Sequence, residues 1–146
     1  LAAQGSLAEA IKYTEIAVKQ GSGPAHYNLG CLYIRDRKFK KAVDELVAAK
    51  ALDPSGTETL YNLSFALARI GNIEQAIVET RTLLQLKPTD GEARTMLITF
   101  LLIRHDRTSA LNEYKNAVSG GVAIPDWLNN ALFGKFTVSV ADLARK

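Results

Sequence analysis

Three pairs of residues with contact chemistry recur at one interval. Tyr27 and Tyr61, Asn28 and Asn62, and Arg35 and Arg69 each stand 34 residues apart, and Cys31 and Phe65 hold matching places within the two sets. Tyrosine and phenylalanine offer rigid contact area at low entropic cost. Asparagine carries both a donor and an acceptor, so it can pair with an extended backbone without reading side chains. Arginine can fork onto a carboxylate. This is the chemistry of holding a partner. Tyr27, Asn28, Cys31, Arg35, Tyr61, Asn62, Phe65 and Arg69 are the candidate partner-binding residues. Tyr61 and Phe65 suit packing between helices as well as they suit contact with a partner.

Reaction chemistry has little to stand on. His26 sits at a bulky packing position, and His105 sits in a turn beside Asp106. There is no H-E-x-x-H, no phosphate loop and no nucleophile–base pair that adjacent helices would bring together. Cys31 is the single cysteine, so the chain holds no internal disulfide and no cysteine-based metal cluster. No catalytic residue, metal ligand or cofactor is called for. One unpaired thiol is compatible with a reducing, cytoplasmic compartment without establishing it.

Charge and hydropathy narrow the partners. Lys plus Arg number 18 against 15 Asp plus Glu, a net charge of +3 that is too mild to imply nucleic acid. The densest basic run, Arg35, Arg37, Lys38, Lys40 and Lys41, reads as a solvated turn and helix start, with a patch for an acidic partner as the alternative. No apolar run approaches the roughly 18–20 residues of a membrane span. The longest, Met96 to Ile103, reads as a buried helix. There is no signal-peptide pattern and no initiator Met, and the chain reads as a piece of something longer.

The positioning elements repeat with the same interval. Ala42, Ala76, Ala110 and Ala144, then Leu29, Leu63 and Leu97, then Pro54 and Pro88, are each 34 residues apart. A period of this size marks stacked repeats, in which neighbours complete one another's core. Apolar spacing is helical throughout: Phe39, Ala42, Val43, Leu46 and Val47 form one stripe, and Ile73, Ala76, Ile77, Thr80 and Leu84 its counterpart. Ser55 with Glu58, and Thr89 with Glu92, have capping-box spacing, as does Ser6 with Glu9. Ser139 with Asp142 gives a similar signal. Gly21, Gly71 and Gly120-Gly121 supply left-handed positions beyond helix ends. The spacing predicts helices at about 6–20, 24–36, 38–52, 57–70, 72–86, 91–104, 107–119 and 125–135, with a short one from about 140. The alternating stretch 136–140 would have no sheet to join.

These residues resemble the tetratricopeptide repeat family, whose pattern is W-x2-L-G-x2-Y, then A-x3-F, then A, then P. His26, Leu29, Gly30, Tyr33, Ala42, Leu46, Ala49 and Pro54 fill it in order. Leu60, Leu63, Ser64, Leu67, Ala76, Thr80, Leu83 and Pro88 do so more loosely, and Arg94, Leu97, Ile98, Leu101, Ala110, Tyr114 and Ala117 continue it. Ile98 departs from the small residue that lets paired helices approach. The resemblance implies an all-α fold, a right-handed superhelix (α-solenoid) of antiparallel helix pairs. It would form a single array over 1–146, with repeats at 23–56, 57–90 and 91–124. Residues 1–22 and 125–146 would be partial repeats, the latter a capping helix as an alternative.

In such arrays the first-helix positions line a concave groove that takes peptides. The resemblance therefore implies a non-catalytic protein-interaction scaffold for an extended peptide or a partner helix. Similar asparagine rows occur in the repeat arm of O-linked sugar transferases, and Asn130, one period beyond Met96, is where such a row would resume. The carboxylate clamp of heat-shock co-chaperones is disfavoured, because Tyr27 and Cys31 stand where its leading Lys and Asn belong. Two further readings remain: a substrate-recruiting segment of a larger enzyme such as a glycosyltransferase, and a homo-oligomer formed through the terminal helices.

Overall fold

The computed structural model describes residues 2–134. Among the described residues there are eight α-helices and no strand: α1 (Ala2–Lys19), α2 (Gly23–Arg35), α3 (Phe39–Leu52), α4 (Thr57–Arg69), α5 (Ile73–Leu86), α6 (Gly91–Ile103), α7 (Arg107–Ser119) and α8 (Asp126–Phe133). The helix expected near 140, the Ser139 and Asp142 signal, Ala144 and the stretch 136–140 lie outside the described residues. The chain divides between Ile70 and Gly71 into two compact units, α1–α4 and α5–α8.

In the first unit α1 packs on α2, α2 on α3, and α3 on α4. The turn from α2 to α3 is too short for anything but an antiparallel pair. Ala42, Leu46 and Leu60 are fully buried, and Leu29 and Leu63 nearly so. Gly30 is buried where α2 meets Leu46 of α3. The Tyr33 hydroxyl donates to Glu15 Oε1 at 2.5 Å and ties α2 to α1. Burial and that carboxylate push the phenol well above its ordinary range.

In the second unit α5 packs on α6, α6 on α7, and α7 on α8. Its core is Phe100, Met96, Leu97, Ile98 and Leu101, with Ala76 and Ala110 at 0% exposure, as helix crossings require. Thr80 is buried yet satisfied: its hydroxyl donates to the Ala76 carbonyl at 2.7 Å. Ile98 is accommodated at the place of Gly30 one unit earlier. Tyr114, at the place of Leu46, is only half-buried and sets its ring edge-on to Phe133 at 5.3 Å.

Starts differ from expectation in detail. α1 begins at Ala2 and runs through Gly5 and Ser6, so Ser6 caps nothing. One glycine costs a helix about 1 kcal/mol, too little to break a run of good helix formers. The caps of α4 and α6 fall one residue later than Ser55 and Thr89. Gly56 stands at the first, without a side-chain bond, and Asp90 at the second, accepting from the Ala93 N–H. Ser55 instead donates its hydroxyl to Asp53 Oδ1 at 3.0 Å. Asn72 and Asp106 cap α5 and α7. The Asp106 carboxyl is held below the usual carboxylate range, first by the Ser109 side chain and then by its backbone N–H.

Helix ends supply a finding the glycines only partly announce. α1, α2, α6 and α7 each close with paired bonds of the 6→1 and 5→2 type, such as Lys38 N to Tyr33 O at 2.8 Å and Arg37 N to Ile34 O at 3.0 Å. This closure needs a left-handed residue. Gly21 and Gly121 provide it after α1 and α7, and Gly71 is left-handed after α4, but Arg37 (φ 59°) and His105 (φ 64°) adopt it as well. Arg37, Gly71 and His105 are one period apart, so the geometry repeats where the glycine does not. Left-handed backbone costs an L-residue about 1–2 kcal/mol. Glycine's extra freedom in the unfolded chain gives back about 0.5–1 kcal/mol of that. Arg37→Gly and His105→Gly are each expected to stabilise the chain by ~0.5–1 kcal/mol in urea melts. A lowered midpoint would show that the side chains hold these turns by contacts that outweigh the strain.

Candidate partner-binding face

The candidate residues lie on two helices of the first unit. On α2, Tyr27, Cys31 and Arg35 follow at four-residue steps, with Asn28 beside them. On α4, Tyr61, Phe65 and Arg69 repeat the steps, with Asn62 beside them. Four-residue steps keep side chains on one face of a helix. The opposite positions, Ala25, Leu29 and Tyr33 on α2 and Leu63, Ala66 and Leu67 on α4, are buried.

The structure brings three of the candidates together. The Asn62 amide donates to the Tyr27 hydroxyl at 3.3 Å and to Cys31 Sγ at 3.6 Å, joining α4 to α2. Burial is the first cause that raises the Tyr27 phenol to about 12, helped by the neighbouring thiol. Burial also raises the Cys31 thiol, with Glu58 adding to the effect and the hydrogen bond with Tyr27 opposing it. Both groups are therefore neutral at physiological pH. A protonated, half-buried thiol is a poor nucleophile, so this cluster is suited to hydrogen bonding.

The other candidates separate. Phe65 turns to Phe39 at the start of α3, ring edge to face with centroids 6.2 Å apart, and Arg69 lies over the same Phe39 ring at 4.6 Å. Phe65 thus makes a packing contact within the unit while staying half-buried. Arg69 spends one face of its guanidinium on the ring. Tyr61 is half-buried. Asn28 and Arg35 are exposed.

A charge pattern escaped the sequence reading. His26 Nδ1 lies 2.8 Å from Glu45 Oε2, and Arg94 Nη1 lies 2.7 Å from Glu113 Oε2. In each pair the glutamate follows 19 residues after its partner, and the two pairs are two periods apart. Between them stand Leu60 and Glu79, and Glu79 is buried and accepts from Gln75 Nε2 at 2.9 Å. In both pairs a residue of one helix thus faces a glutamate of the helix that follows it, α2 with α3 and α6 with α7. The signal was present as Glu45, Glu79 and Glu113 at one interval, but the family pattern has no place for it. His26 is engaged in this pair, and His105 is an exposed residue in a left-handed turn. Among the described residues no group of three or more His, Cys, Asp and Glu gathers as metal ligands would. No helix there is long and apolar enough to cross a membrane.

With paired helices, a 34-residue interval and this two-helix face in place, likeness to known proteins becomes informative. Residues 23–55 match the family model of the tetratricopeptide repeat. That segment, which spans α2 and α3, carries a tetratricopeptide repeat. No curated protein matches by sequence. Among solved structures, MamA of Desulfovibrio magneticus RS-1 is 20% identical with a TM-score of 0.73, over 82% of this chain and 68% of that one. MamA AMB-1 is 21% identical with a TM-score of 0.72, over 81% and 71%. YrrB, described as a TPR protein with an unusual peptide-binding site, is 22% identical with a TM-score of 0.73, over 81% of this chain and 62% of that one. At such identities these likenesses show the tetratricopeptide-repeat fold and nothing finer.

Proposed function

We propose that this chain is a non-catalytic interaction scaffold that holds an extended peptide or a partner helix against the α2–α4 face. The observation that carries this reading is the side-chain row across two successive first helices, in which Asn62 bonds to Tyr27 and Cys31. A row of this kind is a stiff, amphipathic platform, and stiffness lowers the entropic cost of binding. Asn28 and Arg35 stand exposed on the same helix as Tyr27 and Cys31, one able to pair with backbone amides and the other with a carboxylate. The likeness to YrrB, a TPR protein with a peptide-binding site, supports a peptide as the occupant. In this reading residues 1–146 form one array and its groove is concave.

The test uses a partner captured by the 146-residue chain and then purified. Asn28→Ala with Arg35→Ala is expected to weaken that partner by about 1–3 kcal/mol in calorimetry. The arginine part of the loss should shrink as salt rises. Melting should not change, because both side chains are exposed. Asn62 is a poor probe, since its amide is already bonded within the protein and its loss would change stability as well. A partner bound equally well by the double variant would remove this face from the interaction.

A further inference from the structure

Next to the Tyr27–Asn62 row lies a cleft of about 600 Å³, within the range of about 300–1,000 Å³ typical of ligand sites. It opens between the first turns of α2 and α4 and the last turn of α3. Pro24 and Tyr27 line it from α2, Leu52 and Asp53 from the end of α3, and Gly56 and Glu58 from the start of α4. Tyr27 belongs to both cleft and row, so a peptide on the α2–α4 face would pass the cleft's mouth.

Its walls and its charge point to one kind of occupant. Leu52 is 63% exposed, an apolar side chain left uncovered beside Pro24 and the Tyr27 ring. Asp53 and Glu58 are both exposed, and neither has an ion-pair partner among the described residues. Three helix ends meet here, and they favour an anion only weakly. Two N-termini and one C-terminus, at about half a charge each, leave roughly half a positive charge against two full negative ones. Pro24 has no N–H to offer from the first turn of α2. Asp53 already occupies nearby donors, taking the Ser55 N–H on Oδ1 at 3.2 Å and the Gly56 N–H on its carbonyl at 3.2 Å. An anion therefore meets carboxylates, and a cation meets two carboxylates that hold no ion pair among the described residues, over an apolar floor.

We propose that this cleft is a specificity pocket for an arginine or lysine side chain of the bound peptide. This rests on the peptide-binding reading above and adds to it what the peptide must carry. The methylene stem lies along Leu52 and Pro24, as long basic side chains do on apolar surface. The cationic head reaches Asp53 and Glu58, and the Tyr27 ring offers its face to a guanidinium. Asp53 sits in the turn before α4 and Glu58 in the first turn of α4, so the pocket is positioned by the same helix that carries Asn62.

The experiment is a titration of the 15N-labelled chain with the tripeptide acetyl-Leu-Arg-Leu-amide and with its citrulline counterpart, which keeps the shape of arginine without its charge. The arginine peptide is expected to shift the amides of Tyr27, Gly56 and Glu58 saturably, and to bind at least about tenfold more tightly than the citrulline peptide, about 1.4 kcal/mol. Asp53→Asn with Glu58→Gln should abolish that difference while leaving the citrulline peptide's affinity unchanged. Asparagine at 53 keeps an oxygen for the Ser55 bonds, so the turn is preserved. Equal affinity for the two peptides, shifts confined to other helices, or discrimination that survives the double variant would each overturn the proposal. So would concentration-dependent shifts of the same amides without peptide, which would mean that a second copy fills the cleft. The tripeptide does not need Asn28 or Arg35, so failure here and failure of the broader reading are separate results.

Discussion

Gly30→Leu is expected to destabilise the first unit by about 3 kcal/mol or more, at the upper end of what overpacking costs. A bare Cβ at Gly30 would already stand 2.6 Å from Leu46 Cγ and 2.8 Å from Leu46 Cδ2. Leu46 is fully buried, and the nearest atom is its branch carbon, so no flexible tip can swing aside. Either α2 and α3 part or Leu46 leaves its rotamer. Gly30→Ala separates two opposing effects. Helix propensity alone favours alanine by about 1 kcal/mol, and the clash costs about 1–3 kcal/mol, so a net loss is expected in urea melts. In a Leu46→Ala background the clash is gone and propensity should win, making Gly30→Ala neutral or stabilising. A parent-like melt for Gly30→Ala with Leu46 in place would show that the crossing has slack.

Glu113→Ala is expected to cost about 2–4 kcal/mol in the second unit, more than any surface ion pair would. Glu113 accepts from Arg94 at 2.7 Å and from Arg81 at 3.2 Å. The Glu113 and Arg94 side chains are only 14% and 18% exposed, whereas Arg81 is 47% exposed. Removing the carboxylate leaves the Arg94 guanidinium half-buried with the Pro88 carbonyl, 3.0 Å away, as its remaining acceptor. The Arg81 half of the pair contributes little, because solvent screens it. Replacing Arg94 as well, with leucine, should recover much of the loss, since Leu60 fills the same place one period earlier and is fully buried. A loss under about 0.5 kcal/mol for Glu113→Ala would mean that water already screens the pair.

The eight helices were legible within a few residues because the signals that define them are local. The stripe of α3 is set by Phe39, Ala42 and Leu46 within two turns, and Pro54 and Pro88 stop α3 and α5 whatever surrounds them. The repeat was legible for a related reason: one interval relates the same packing problem solved several times. The candidate face was legible as a set of positions, since four-residue steps place Tyr27, Cys31 and Arg35 together on α2. Its internal bonds were not, because whether Asn62 points to a ligand or to Tyr27 depends on the spacing of two helices 31–35 residues apart in the chain.

By itself, then, the sequence determined the helices, their period and their buried faces, all of which follow from apolar spacing and turn chemistry over a few residues. Tertiary structure alone decided how each degenerate position is used. It made Gly30 a close crossing and gave the matching place to a buried Ile98. It set Arg37 and His105 in backbone meant for glycine. It turned Glu45 and Glu113 onto the helix before them, and opened a cleft between Pro24, Leu52 and Glu58. These depend on distances between helices, and a repeat that tolerates different side chains at one place leaves those distances to the packed whole.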